Sequence, residues 1–134
     1  MMACSSDSDE ATPTDGNNYK ITVTANDVEG QDYISFVIVG SDTQQSNTIW
    51  KVNGEVRTGE TSVSLGKNEF TGSTKTYVIE STKPLRASLI GVQLINFAGP
   101  LPYAIKIEKN GKTEIDVNAT LTGDAADFTK DYSF

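Results

Sequence analysis

The chain has 134 residues, which is enough for one domain and too few for two of ordinary size. It carries 18 acidic and 11 basic residues; four of the acids and none of the bases precede Tyr19. Because Lys and Arg are not clustered, we expect no nucleic-acid partner. The absence of histidine removes the commonest general base and zinc ligand, and the single cysteine permits no disulfide within the chain. We therefore expect a protein that is not an enzyme.

The first 18 residues are predicted to form an anchor and a flexible tether. Cys4 follows the small residue Ala3 and precedes an acidic run at 5–10, and the rest of the segment to residue 18 is mostly polar. This pattern resembles the lipobox cysteine and acidic export signal of Bacteroidetes surface lipoproteins. The resemblance implies that lipidated Cys4 attaches the protein to the outer membrane, at the cell surface or in the periplasm. The two initial methionines are not a secretory signal, so we expect that a start methionine replaces an apolar signal. The alternative is a leader with an incidental cysteine.

Hydrophobic periodicity after residue 18 predicts strands. Apolar residues alternate with polar ones over 19–25, as in a half-buried strand. The segment 33–39 is apolar on both faces, which predicts a central strand, and 76–81 predicts a short strand. Within 86–97 the alternation of apolar residues favours odd positions before Gly91 and even positions after it, which predicts a bulge or bend there.

Two Asn-Gly pairs predict hairpins. A three-residue loop at 109–111 would set Glu108 opposite Lys112, so that residues of opposite charge face each other. The same loop at 52–54 would set Lys51 opposite Glu55 and turn Trp50 inward. We therefore predict three-residue loops in both hairpins.

The spacing of these elements predicts an all-β fold. We expect about eight or nine strands in an antiparallel β-sandwich, immunoglobulin-like in general architecture, which forms a single domain over residues 19–134. The residues from Phe128 to Phe134 alternate like a last strand, although 125–130 could form one helical turn.

Three residues are candidate ligand contacts. Trp50 could serve as a stacking platform for a sugar, or it could belong to the core. Leu101 and Tyr103 lie in and beside the apolar loop 98–102, which two prolines stiffen. This loop could present a binding edge, or it could simply cross between the two sheets.

Carboxylates at Asp27, Glu29 and Asp32 are the candidate metal ligands. Calcium takes six to eight oxygen ligands, and an acidic loop at the end of a sandwich can supply some of them. Further oxygens could come from Asp42, Asp124, Asp127 or Asp131 if the loops meet. The spacing matches no defined calcium motif, and a solvated acidic loop would explain the same residues. We therefore expect no cofactor, and calcium bound by these carboxylates is the alternative.

The expected function is that of a lipid-anchored, non-catalytic recognition or assembly module that binds a glycan or an envelope protein. The alternative is a structural accessory subunit of a fibre, secretion or nutrient-uptake complex. Glycan binding predicts an exposed pair of aromatic residues in one plane. A structural subunit predicts an uncovered sheet edge or a large apolar patch.

Overall fold

The computed structural model describes residues 16–134 as two antiparallel β-sheets. Cys4 and the acidic run lie outside the described residues. No helix within residues 16–134 is both long enough and apolar enough to cross a membrane.

Ten strands and one helical turn build this structure. In chain order they are β1 (Tyr19–Ala25), β2 (Tyr33–Ser41), β3 (Trp50–Val52), β4 (Glu55–Arg57), β5 (Ser62–Gly66), α1 (Lys67–Phe70), β6 (Thr76–Ser81), β7 (Ala87–Asn96), β8 (Leu101–Lys109), β9 (Lys112–Leu121) and β10 (Ala126–Ser133). The larger sheet has the order β9-β8-β1-β6-β3-β4, and the smaller has the order β10-β7-β2-β5. The predicted β-sandwich is confirmed. The helical turn proposed over 125–130 is wrong, because β10 occupies that segment.

The core lies between the sheets and follows the predicted period of two. Every second residue of β1, from Tyr19 to Ala25, is buried, and β2 contributes Ile34, Phe36 and Ile38. The central position of β2, between β7 and β5, agrees with its apolar sequence. Burial of apolar surface between two such faces is the main force that holds a sandwich together.

The first hairpin turn is tighter than predicted. Asn53 and Gly54 have φ values of 49° and 86°, which are the positive values of a two-residue type I′ turn. Val52 therefore pairs with Glu55, and Trp50 pairs with Arg57. The predicted three-residue loop is wrong, although Trp50 does point inward.

The second hairpin has the same turn and an additional bulge. Asn110 and Gly111 have φ values of 53° and 80°. A two-residue loop alone would oppose Ile107 to a charged residue, but the register shifts between Thr113 and Ile115, so that Ile107 faces Ile115. The extra residue of the bulge returns the apolar side chains to one face.

The tip of this second hairpin holds the chain where it enters β1. The Asn110 side chain accepts a hydrogen bond from the Asn18 amide at 2.9 Å and donates one to Asn17 Oδ1 at 2.7 Å. The Asn110 amide donates to the Asn18 carbonyl at 2.8 Å. These bonds hold Asn17 and Asn18, the two residues before β1, against the hairpin tip.

The bulge predicted at Gly91 is absent from β7. Gly91 faces Val37 on one side and Asp131 on the other, with no change of register along the strand. The alternation of apolar residues shifts from odd to even positions for another reason. Leu89 belongs to the outer face of the smaller sheet, where it is 45% exposed.

Candidate functional site

The three predicted ligand contacts are buried. Trp50 is 0% exposed, and its Nε1 donates to the Thr61 carbonyl at 3.0 Å. Leu101 is 0% exposed and Tyr103 is 5% exposed, and the Tyr103 ring packs 5.1 Å from the Phe128 ring. The connection before them crosses from the smaller sheet to the larger, which carries both side chains into the core. Their burial does not fit the predicted ligand contacts, because none presents a surface to a ligand.

Two of the three candidate metal ligands hold a loop in place. Asp32 is 3% exposed; its Oδ2 accepts from the Glu29 amide and its Oδ1 from the Phe97 amide, both at 2.9 Å. Glu29 Oε2 accepts from the Gly99 amide at 3.3 Å. Asp27 is exposed. These carboxylates tie the loop 26–32 to the connection that follows β7.

The other acids do not complete a metal shell. Across residues 16–134, no cluster of three or more Asp, Glu, Cys or His side chains could hold a metal ion. Asp42 lies beyond the opposite end of β2 from Asp32. The hydrogen bond from the Gln44 amide, aided by Lys83 3.5 Å away, lowers the pKa of Asp42 despite its burial. Its carboxylate therefore fixes its own turn.

An exposed apolar surface lies on the outside of the smaller sheet. Of the five exposed large hydrophobic residues in the described part of the chain, four lie in or directly after β2 and β7; the fifth, Val56, lies on the other sheet. Two half-buried residues at outward positions of the same strands join them. We call this surface the apolar face, and its six residues are Tyr33, Val37, Val39, Leu89, Ile95 and Phe97.

The apolar face carries almost no charge. Outward positions of the four strands hold no Lys, Arg or Glu, and Asp127 and Asp131 on the edge strand β10 are their only charged residues. On the opposite edge, β5 presents Ser62, Ser64 and Gly66. No charged side chain therefore interrupts the centre of this surface.

The outer face of the larger sheet, in contrast, is charged. Glu108, Lys20, Glu80 and Lys51 follow one another across four paired strands, so that the sign of the charge alternates. Lys51 Nζ lies 3.9 Å from Glu80 Oε1. Such a surface suits contact with water, since these partly exposed pairs contribute little stability. The two outer faces of the sandwich thus differ in chemistry, and only one suits contact with an apolar partner.

A shallow cavity opens at one end of the apolar face. Its volume is about 300 Å³, and Val39, Ala87, Leu89 and Phe134 are among the residues that line it. The exposed lining is mostly apolar. The cavity can therefore receive an apolar side chain from a molecule that covers the face.

Sequence reasoning missed this surface, although a signal for it was present. The segments 33–39 and 86–97 each have apolar residues at both parities. We interpreted one as a fully buried strand and the other as a bulged strand. A sheet without helices covers only one face of each strand, so the surplus apolar residues had to be exposed.

Three solved structures are similar to this one. A DUF4425 family protein from Bacteroides ovatus has a TM-score of 0.64 and 11% sequence identity, over 89% of this chain and 94% of its own. A DUF4425 domain from Bacteroides vulgatus has a TM-score of 0.66 and 15% identity, over 91% and 96%. This chain shares their fold. The calcium-bound form of a protein from Parabacteroides distasonis, solved by NMR, has a TM-score of 0.65 and 17% identity, over 92% and 98%.

These similarities are confined to structure. No family model and no curated protein matches the sequence. Both DUF4425 structures are of unknown function, so the chemistry of the two outer faces must guide a functional proposal.

Proposed function

We propose that this protein is a non-catalytic binding module that docks a protein partner on the apolar face. The concentration of exposed apolar residues on one outer face supports this proposal. The six residues of the apolar face lie in or directly after two neighbouring strands, which at about 4.8 Å apart and about nine residues long give a surface of roughly 300 Å². Patches of roughly 300–600 Å² are the largest on typical monomers and are often functional.

The composition of the face favours protein over glycan. Sugars bind through stacking on aromatic rings combined with directional hydrogen bonds, whereas Val37, Val39, Leu89 and Ile95 offer branched aliphatic groups. Such groups pack well against the side chains of another protein. Tyr33 and Phe97 are exposed at one end of the same face, and they give a glycan its best alternative site.

We further propose that a lipid on Cys4 attaches this module to a bacterial outer membrane. The small residue before Cys4 and the acids after it support this, and the similar structures come from Bacteroides and Parabacteroides. The test is acyl labelling of the full-length precursor in its native host. Label on Cys4 that disappears in Cys4→Ser is expected, and unlabelled Cys4 would remove the anchor from the proposal.

A capture experiment tests the docking face. The full chain, a Val39→Thr/Leu89→Thr variant and a Val56→Thr variant are immobilised and exposed to solubilised native envelope. Val56 is the matched control, because it is 55% exposed on the opposite face. A protein captured by wild type and control but not by the double variant is then purified and titrated against all three chains.

The result should separate protein from glycan binding. We expect a single partner whose affinity falls at least tenfold in the double variant and is unchanged in the control. A glycan array provides the counter-test. If no partner depends on the face and an array signal is lost in Tyr33→Ala, the glycan interpretation replaces ours.

Calcium is the second candidate ligand, and the calcium-bound structure of the Parabacteroides distasonis protein is the observation that favours it. In this chain we assign it to the loop 26–32, where Asp27 and Glu29 would supply carboxylates beside Asp32. The test is a calorimetric titration with millimolar calcium. A heat of binding that wild type shows and an Asp27→Asn/Glu29→Gln variant lacks supports the site. If wild type shows no heat of binding, the calcium proposal is wrong.

A further inference from the structure

We propose that β9 pairs edge to edge with β9 of a second copy of this chain. It is the outermost strand of the larger sheet and has ten residues. Its backbone pairs with β8 on one side, and no strand of the described chain pairs with the other. A free strand edge presents a row of unpaired N–H and C=O groups that another strand can satisfy.

The other three edge strands of the sandwich are protected. β4 has three residues and β5 has five. β10 is longer, but Lys130 occupies an inward position opposite Val92. Short length and inward charge are known ways to prevent edge pairing.

β9 lacks such protection over most of its length. Its register shift lies between Thr113 and Ile115, close to the hairpin turn. From Ile115 to Leu121 the strand is regular and contains no Pro, Gly or Lys. Seven consecutive residues are therefore free to pair.

The sequence of this segment is complementary to itself. In an antiparallel pair, opposed residues share one face of the sheet. The two-fold axis between two identical strands must therefore lie where one residue faces its own copy. An axis at Asn118 pairs all seven residues, from Ile115 with Leu121 to Val117 with Ala119. Asp116, the one charged residue in the segment, then faces Thr120. An axis at Asp116 would oppose two carboxylates, and an axis at Val117 would extend into the bulge.

The inward side chains of β9 supply an apolar contribution to this pairing. Ile115, Val117 and Leu121 are only half-buried, because the strand lies at the open side of the sandwich. A second β9 would cover them while forming about six to eight backbone hydrogen bonds. Backbone pairing and burial therefore favour the same arrangement.

The dimer has a defined geometry. Its two-fold axis is perpendicular to the sheet, so the two larger sheets join into one of twelve strands and both apolar faces point the same way. The dimer would thus carry two docking faces for a partner. That consequence rests on the proposed function, whereas the dimer itself does not. Two faces on one rigid assembly would engage a repetitive or dimeric partner with increased avidity.

Disulfide trapping tests the pairing directly. In a full-length Cys4→Ser background, Asn118→Cys would bring two thiols together on the axis, with Cβ atoms about 4.5–5.5 Å apart. Thr129→Cys is the matched control, because it is exposed in the middle of the other long edge strand, β10. In a glutathione buffer we expect Asn118→Cys to form covalent dimer at least tenfold faster than the control.

Sedimentation velocity on wild type and Ala119→Lys completes the test. The substitution puts an inward charge on the exposed edge, so the variant should fold normally by circular dichroism and show less dimer than wild type. Fast trapping supports the proposal even if wild type dimerises only weakly. Trapping no faster than in the control overturns it, and so does a dimer that Ala119→Lys leaves intact.

Discussion

Replacement of Asp32 tests whether this carboxylate serves the fold or a metal ion. It is 3% exposed and accepts two hydrogen bonds at 2.9 Å from the amides of Glu29 and Phe97. A hydrogen bond to a charged group contributes about 1.5–3 kcal/mol, so Asp32→Ala should cost roughly 3–5 kcal/mol. Asp32→Asn retains one acceptor oxygen and should cost about 2 kcal/mol. These are large fractions of a typical stability of about 5–15 kcal/mol.

Urea unfolding followed by circular dichroism measures these costs. Each variant should unfold at lower urea with an unchanged m-value, because the same surface is exposed on unfolding. Asp27→Asn is the control in EDTA, where no calcium is bound, and there we expect a change below about 0.5 kcal/mol at this exposed position. The series is repeated in EDTA and in millimolar calcium. If Asp32 is a structural acceptor, each substitution at Asp32 lowers the free energy of unfolding by the same amount in both buffers. A loss that appears only with calcium, or no loss in either buffer, would refute the reasoning.

Three further predictions concern single buried positions. Trp50→Phe removes the hydrogen bond to the Thr61 carbonyl and part of the core volume, and should lower stability by roughly 2–4 kcal/mol in urea unfolding; a fluorescence emission that glycans quench would contradict the burial of Trp50. Gly40→Ala places a Cβ 2.8 Å from both Leu85 Cδ1 and Trp50 Cζ2, so overpacking should cost about 1–3 kcal/mol in the same assay, and an unchanged midpoint would contradict this contact. The pKa of Asp42 is lowered in the folded state, chiefly by the Gln44 amide. Its stabilisation is therefore fully present above its unfolded pKa of about 3.9 and is lost as the pH falls through the lower folded value. Thermal melts should show Asp42→Asn less stable than wild type at neutral pH, with the difference narrowing in acid, and a constant difference would contradict the assignment.

Local patterns predicted the sandwich but not the register of its hairpins. Alternation over 19–25 was sufficient for β1, because one of its faces is buried throughout. At 110–111, pairing of opposite charges favoured a three-residue loop. The bulge beside Thr113 satisfies the apolar pairing in another way, and a bulge depends on the whole sheet rather than on the turn.

The candidate site was harder to predict, because an exposed apolar residue looks like a core residue in sequence. Leu89 and Val39 have the composition of buried strand positions, and only the packing of the sheets shows that nothing in the described chain covers them. Sequence reasoning also did not reveal the structural role of Asp32. Its side chain forms hydrogen bonds with an amide 65 residues away in sequence, which local spacing cannot reveal.

The hydrogen bonds of Asn110 to Asn17 and Asn18 have a consequence for the length of the predicted tether. Between Cys4 and the two held residues, Asn17 and Asn18, the predicted tether has about 12 residues, and as a coil it would span roughly 20 Å on average. With a lipid on Cys4, a flexible coil of that length would limit how far the domain lies from the membrane and would leave its orientation free. The apolar face would then be open both to a neighbour anchored in the same membrane and to a partner from the surrounding medium.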